Sequence, residues 1–370
     1  MKKIFLVFVV LFLTIACSKK ENEPAIENKY DKTALLTNWA DNIIIPSFIN
    51  YQLKVTDLNT VAIAFTVNPN QSTLNILRTA WIDAYKAYQY VSIYNFGKSE
   101  EIGLKESINI FPIDVVGINA NITSGNYNLY MPAQYKTQGF PGLDYLINGL
   151  ANNDIDILAL YTTNGNAANY KKYLKDITYK IKNGADQIVV DWNTAYKNTY
   201  ITNTGTSVTG AVNVTANEFV KNLEKDIRTA KIDIPAGLFS NGTLFANKVE
   251  GFYKKDISKM LLIESLKASQ DFYNGKHFNS TINGESLKSY LDFLNATRNN
   301  QKLSDIINNQ YASIFTVCNL LDNSLATQIN TDNSKMLNVN SVIQQNVVYT
   351  KLDMMQALNI SIDYVDGDGD

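Results

Sequence analysis

Two aspartates, Asp114 and Asp144, are the residues of this sequence best placed to do chemistry. Asp144 closes the segment Gly139-Phe140-Pro141-Gly142-Leu143-Asp144, and Asp114 closes the turn Phe111-Pro112-Ile113-Asp114. Carboxylates without histidine offer only oxygen ligands, which suit hard cations such as calcium or iron and do not favour zinc. One hypothesis is therefore that the two aspartates form a metal site for iron or calcium.

A structural role for the segment that ends at Asp144 is the alternative. Pro141 has no side-chain donor or acceptor, but its fixed φ suits the first turn of a helix. Asp144 would then act as a cap, because the free amides and the dipole at a helix N-terminus favour a carboxylate. On this interpretation the segment is a tight entry into a packed helix with its apolar residues buried.

Histidine is too scarce for a hydrolytic zinc centre. Catalytic zinc takes three protein ligands and most such sites use histidine, whereas His277 is the only histidine in the chain and lies in a polar turn far from Asp144 in sequence. A serine hydrolase would also depend on His277, and the sequence has no Gly-x-Ser-x-Gly elbow and no glycine-rich phosphate loop. No catalytic residue is therefore assigned.

Aromatic side chains suggest a second kind of site. Trp81, Tyr85 and Tyr88 recur at helical spacing, which is typical of a buried helix face. The chain also holds 22 tyrosines, whose hydroxyl groups need partners. A groove beside Trp81, Tyr85 and Asp114 that binds a small molecule or a peptide is the alternative to simple core packing.

The amino-terminal residues predict export and a lipid anchor. Two lysines precede an apolar run from Ile4 to Ile15, and Cys17 follows the small residue Ala16. This pattern is that of a secretory signal peptide ending at a lipobox, with Cys17 as the lipidation site. We expect an outer-membrane lipoprotein of the bacterial cell envelope, and the lysine and acidic residues that follow Cys17 favour exposure at the cell surface. The membrane is then a partner through the lipid anchor.

The charge balance excludes another class of function. The chain has 33 basic and 35 acidic residues, and only 18% of its residues are charged. Nucleic-acid binding needs a basic patch or stripe, which this composition does not provide. The remaining cysteine, Cys318, lies in an apolar helical context and is expected to be a buried free thiol.

Apolar periodicity predicts an all-α protein. Helices are expected from Thr33 towards Leu58 with a kink at Pro46, from Ser72 towards Gly97, from about 167 to 200, and at 245–273, 286–296, 303–330 and 336–358. Thr215-Ala216-Asn217-Glu218 looks like a capping box that starts another helix. The predicted regions are a signal peptide at 1–16, a lipidated flexible tether at 17–32, a helical domain at 33–363 and an acidic tail at 364–370.

The segment around Pro141 resembles the signature of the imelysin-like proteins, which reads Gly-x-His-x-x-Glu. Gly139 matches the glycine, Pro141 stands at the histidine position and Asp144 at the glutamate position, so the motif is degenerate. Other segments resemble the family in the same order along the chain. These are Thr79–Tyr88, Phe111–Asp114, Ala268–Gly275, and Leu352–Leu358 with the terminal Asp-Gly-Asp-Gly-Asp.

The resemblance implies two packed helical-bundle halves with the motif helix in the groove between them. It also implies either peptidase activity or a role in iron uptake, and the loss of the histidine at Pro141 counts against the peptidase. We therefore expect an envelope lipoprotein that binds a metal, a small molecule or a peptide, in metal or iron acquisition. A metallopeptidase and a structural or adhesion module of the outer membrane are the alternatives.

Overall fold

The computed structural model describes residues 29–364. The predicted signal peptide, the lipidation site Cys17, most of the tether and residues 365–370 of the acidic tail lie outside this part of the chain. The helices belong to one compact unit that begins at Asp31. Within the described residues no helix is both long and apolar enough to cross a bilayer.

Helices make up nearly all of the regular structure between residues 29 and 364, so the all-α prediction is confirmed. The first nine α-helices are α1 Lys32–Asn38, α2 Ile45–Val67, α3 Gln71–Val91, α4 Lys98–Glu101, α5 Leu104–Ile108, α6 Val115–Ser124, α7 Gly139–Asp144, α8 Asp154–Thr162 and α9 Ala167–Asp191. The next eight are α10 Lys197–Thr202, α11 Ala211–Lys221, α12 Ser258–Tyr273, α13 Leu287–Phe293, α14 Leu303–Asn319, α15 Leu325–Asp332, α16 Ser334–Val347 and α17 Met355–Ala357.

Shorter elements connect or extend these helices. Five π-helical stretches continue an α-helix without a break, at Trp39–Ile44, Tyr145–Gly149, Trp192–Tyr196, Asn222–Asp233 and Val348–Met354. Two 3₁₀ turns lie at Pro132–Thr137 and Ala246–Lys248. One hairpin, β1 Thr297–Arg298 with β2 Gln301–Lys302, is antiparallel and pairs Thr297 with Lys302.

Helix α2 forms the centre of the amino-terminal group, where it packs against α3 and α9. Its buried apolar residues follow the helical period: Phe48, Tyr51, Val55, Leu58, Ala62 and Phe65. Each large side chain removed from water in this way contributes roughly 1.5–3 kcal/mol. Helix α3 begins with a capping box between Asn70 and Thr73, which fixes the start of its own buried face.

Helix α12 joins the amino-terminal group to the carboxy-terminal group. It packs against α3 on one side and against α14 and the π-helix Asn222–Asp233 on the other, and α16 packs on α14 and on the same π-helix. Side chains of both α3 and α12 also line two clefts. Both clefts are described below.

Two of the expected helix starts are wrong. Thr215 does not cap a helix; it is buried inside α11, which begins at Ala211, and its hydroxyl bonds that of Tyr200 at 2.8 Å. The expected helix at 245–273 begins only at Ser258. The preceding residues form a loop, because Gly251 and Lys255 adopt positive φ angles of 69° and 72° that an α-helix does not allow.

Candidate functional site

Asp144 lies at the end of α7, where it is 1% exposed and holds a distant loop. Its Oδ2 accepts from the backbone N–H of Tyr253 at 2.9 Å, and its Oδ1 accepts from the backbone N–H of Lys254 at 2.9 Å. Oδ1 also accepts from the side-chain amide of Asn148 at 3.0 Å. The carboxylate therefore holds the end of the segment 247–254, which we call the Glu250 loop.

The environment of Asp144 changes its ionisation. Burial raises the pKa of Asp144 to about 7, although the hydrogen bonds from Tyr253, Asn148 and Lys254 act in the opposite direction. The ammonium of Lys254 bonds Asp256 at 2.6 Å instead of Asp144. Desolvation outweighs the hydrogen bonds, because Asp144 has no direct ion pair among the described residues.

Asp114 occupies a different structural position. Its carboxylate caps α6 by accepting from the backbone N–H of Gly117 at 2.9 Å, and its own N–H donates to the carbonyl of Lys136 at 2.8 Å. Within residues 29–364 no group of three or more His, Cys, Asp or Glu side chains is arranged to hold a metal. The iron or calcium site formed by Asp114 and Asp144 stays a prediction.

The other two motif positions, Gly139 and Pro141, are buried with Asp144. Gly139 has a φ of 74°, and a Cβ there would lie 2.2 Å from the carbonyl oxygen of Ile108, so only glycine fits. Pro141 and Asp144 face a cavity of about 220 Å³ beside Phe111. The motif segment thus packs tightly against its neighbours, as the structural interpretation expects. The expected cap is wrong, because Asp144 is the last residue of α7 and bonds Tyr253, Lys254 and Asn148 instead of the first amides of its own helix.

The two aromatic groove candidates are part of the core. Trp81 is fully buried and donates from Nε1 to the carbonyl of Phe140 at 3.1 Å. Tyr85 is also fully buried and stacks on Phe140 with ring centroids 4.6 Å apart. The Tyr85 hydroxyl donates to Oδ1 of Asn109 at 2.5 Å, which connects this core to a buried polar cluster. Burial and the nearby carboxylate of Glu250 raise the pKa of Tyr85, so its hydroxyl stays protonated.

That polar cluster centres on Glu250, which is 2% exposed, and on Lys231, which is 4% exposed. Their side chains form a buried ion pair. Lys231 also donates to Oε1 of Gln89 at 2.9 Å, and Oε1 of Glu250 accepts from Asn109 at 2.7 Å and from Gln89 at 3.3 Å. A buried pair is stable only when further hydrogen bonds complete it, and this one has them.

Gln89, Asn109 and Lys231 of this cluster line a cleft of about 270 Å³, which we call the Lys231 cleft. Residues that line it include Tyr88, Asn109, Phe111, Asn222, Asp226 and Lys231. Lys105 pairs with Asp226 at 2.7 Å at its edge. An ammonium group has three N–H donors, and the described residues take two from Lys231. No partner for the third N–H is seen among the described residues.

Sequence reasoning missed Gln89, Lys231 and Glu250. Glu250 fell within an expected helix, whereas the structure has a loop there. The available signal was a polar residue on an apolar helix face, since Gln89 follows Tyr85 and Tyr88 in α3. Such a residue must find a buried partner, but its partner Glu250 is remote in sequence.

These features define an all-helical protein with a buried ionic cluster at a cleft. The imelysin family model, Peptidase_M75, matches residues 44–348, so the chain belongs to the imelysin family. None of the curated proteins matches the chain significantly.

Solved structures share the fold. A protein described as an iron-regulated protein A precursor from Parabacteroides distasonis superposes with a TM-score of 0.69 at 15% identity, over 87% of this chain and 95% of that one. An imelysin-like protein from Psychrobacter arcticum superposes with a TM-score of 0.60 at 16% identity, over 90% of this chain and 97% of that one. At these identities the likeness concerns the fold alone.

Proposed function

We propose that this protein is a binding protein of the bacterial envelope, anchored through Cys17, and that it works in iron acquisition. The export signal and lipobox in the sequence support the anchor. Membership of the imelysin family and the likeness to a protein described as iron-regulated are consistent with the iron-related role. The ligand binds in the Lys231 cleft, and anchoring would keep that cleft close to the membrane.

The Lys231 cleft is the observation that carries the proposal. Ligand sites in proteins are mostly apolar clefts with a few fixed polar groups. Here Ile110 and Phe111 supply apolar walls, and Lys231 supplies an ammonium group held in place by Glu250. Because the cluster is buried and hydrogen-bonded, this group is positioned before any ligand arrives.

The peptidase alternative has weaker support, although the family model carries a peptidase name. Pro141 offers no metal ligand at the motif's histidine position, and His277 is the only histidine of the chain. Both carboxylate oxygens of Asp144 accept hydrogen bonds from the protein itself. The position that a catalytic glutamate would take therefore serves to hold the Glu250 loop.

Iron uptake by cells that lack the protein tests the proposal. Deletion should reduce uptake of radioactive iron under iron limitation, and the intact gene should restore it. The double variant Lys231→Gln, Glu250→Gln removes both buried charges while keeping polar side chains, so it should fold and fail to restore uptake. The matched control is Lys172→Gln with Asp176→Asn, an exposed i,i+4 pair 2.5 Å apart, which should restore uptake fully.

Direct metal binding is measured separately. Elemental analysis of the mature chain, with thermal shifts across iron, calcium and zinc, reports any cation that stabilises the folded state. Asp144→Ala and Asp114→Ala address the predicted pair. Normal iron uptake in the deletion strain would refute the proposed function, whatever the metal titrations show.

A further inference from the structure

A second cavity, of about 530 Å³, lies on the other flank of the contact between α3 and α12. Tyr88 and Gln89 of α3 face the Lys231 cleft, whereas Tyr90 and Tyr94 of the same helix line this second cavity. The rest of its wall comes from the start of α2, from α12 and from residues 276–281. Nothing in the proposed function uses it.

A backbone hydrogen bond to the helix turn before Pro46 helps to hold the wall formed by residues 276–281. Pro46 has no backbone N–H, so it cannot donate to the carbonyl of Asn42 in the preceding turn. The N–H of Phe278 donates to that carbonyl at 2.8 Å. Two more backbone bonds close the turn, from His277 to Ile282 at 2.9 Å and from Ser280 to His277 at 3.1 Å. The cavity is therefore built before a ligand binds.

The polar groups of the cavity have unused hydrogen-bonding capacity. Within the described residues, no side-chain partner is seen for Asn279 or Thr281, and both side chains are exposed. Tyr90 donates its hydroxyl proton to Glu264 at 2.9 Å, which leaves the Tyr90 oxygen able to accept. Ser280 accepts from the N–H of Ile282 at 3.1 Å, so its own hydroxyl proton is available.

The charges around the cavity cancel. Lys276 bonds both carboxylate oxygens of Asp271, at 3.2 and 3.3 Å. Glu264, behind Tyr90, pairs with Lys267 at 3.1 Å. A charged ligand would therefore find no uncompensated opposite charge, and it would lose its hydration without an ion pair in return.

The remaining ligand chemistry is neutral and rich in hydroxyl groups. A purely apolar ligand would cover Asn279 and Thr281 without bonding them, which costs about 1–3 kcal/mol for each group left unpaired. Tyr90 and Phe278 are half-buried and meet edge to face with ring centroids 5.8 Å apart, and they add apolar walls against which the C–H faces of a sugar ring can pack. We propose that this cavity is a binding site for a small neutral saccharide, and its volume is within the ordinary range for small-molecule sites.

Saturation-transfer NMR and calorimetry on the mature chain test this site. The probes are neutral saccharides (glucose, galactose, mannose, N-acetylglucosamine, maltose and cellobiose), with glucuronate and glucosamine as charged analogues. We expect at least one neutral saccharide to bind, and glucuronate and glucosamine to bind at least tenfold more weakly than it does. Thr281→Ala should weaken binding by about tenfold, the equivalent of one lost hydrogen bond.

A matched pair of glycine variants separates binding from folding. Asn279 and Asn241 both adopt left-handed backbone, with φ of 53° and 50°, and both are exposed. Glycine tolerates this conformation, so Asn279→Gly and Asn241→Gly should both fold. Only Asn279→Gly should weaken binding of the saccharide.

The proposal is overturned if none of the neutral saccharides binds, if a charged analogue binds better, or if both glycine variants leave affinity unchanged. The iron-uptake test uses the Lys231→Gln, Glu250→Gln variant, whose changes lie at the Lys231 cleft and not at this cavity. A failure of one proposal is therefore distinguishable from a failure of the other.

Discussion

The ionisation of Asp144 should make the stability of the protein fall as pH rises. Burial raises the pKa of Asp144 from an ordinary value near 3.8 to about 7 in the folded state. A group with a raised folded pKa binds its proton more tightly when folded, so its stabilisation is fully present below pH 3.8 and is lost as pH rises through about 7. The difference corresponds to about 4 kcal/mol.

The test replaces the carboxyl group with an amide. The side chain of Asp144→Asn cannot ionise. The free energy of unfolding of this variant should therefore depend on pH only through the other titrating groups. Urea unfolding, followed by circular dichroism from about pH 4 to about pH 8, gives the difference between the two proteins at each pH. Other titrating groups cancel in that difference. We expect the wild type to lose stability relative to Asp144→Asn by up to about 4 kcal/mol across this range.

One outcome would refute this reasoning. If the hydrogen bonds from Tyr253 and Lys254 outweigh burial, the pKa of Asp144 is not raised. The wild type would then hold its stability, or gain it, relative to Asp144→Asn as pH rises. Hydrogen exchange at the amides of Tyr253 and Lys254, compared between the two proteins at the same pH, shows whether the Glu250 loop stays attached.

Three further predictions concern other residues. Gly139→Ala should destabilise the fold by at least about 2 kcal/mol in urea unfolding, because its Cβ would overlap the carbonyl of Ile108; a normal midpoint would contradict this. Glu250→Gln alone should cost about 3–5 kcal/mol and the double change with Lys231→Gln less, because the single change leaves a buried unpaired charge; equal losses would count against it. Burial raises the pKa of Cys318 to about 12, so it should react with a thiol reagent only after unfolding.

The helices were predictable where the apolar period is regular. Helix α3 follows the expected pattern from its capping residues onward, because Leu74, Leu77 and Trp81 all face the core. The prediction that Thr215 caps a helix was wrong because the capping-box pattern can also occur inside an amphipathic helix, where it caps nothing. Local pattern cannot show that the amide groups near Thr215 already have helical partners.

The candidate site was predictable only in part, because it depends on contacts between remote residues. Asp144 could be singled out from its position in the motif, but its partners Tyr253 and Lys254 lie in a segment whose composition favours a helix. Gln89 and Glu250 meet only once α3 and the Glu250 loop are packed together. Neither residue has a local signature of this pairing.

The acidic residue of the degenerate motif, Asp144, has a structural role that does not require a histidine at position 141. The donors to Asp144 include two main-chain amides, and these are present whatever side chains the loop carries. A residue at position 141 that cannot bind metal therefore leaves the structural need for an acceptor at Asp144 unchanged. The Glu250 loop also supplies the partner of Lys231, so the hydrogen bonds of Asp144 help to hold the wall of the Lys231 cleft in place. The attachment of the loop to Asp144 thus needs no metal ligand at position 141.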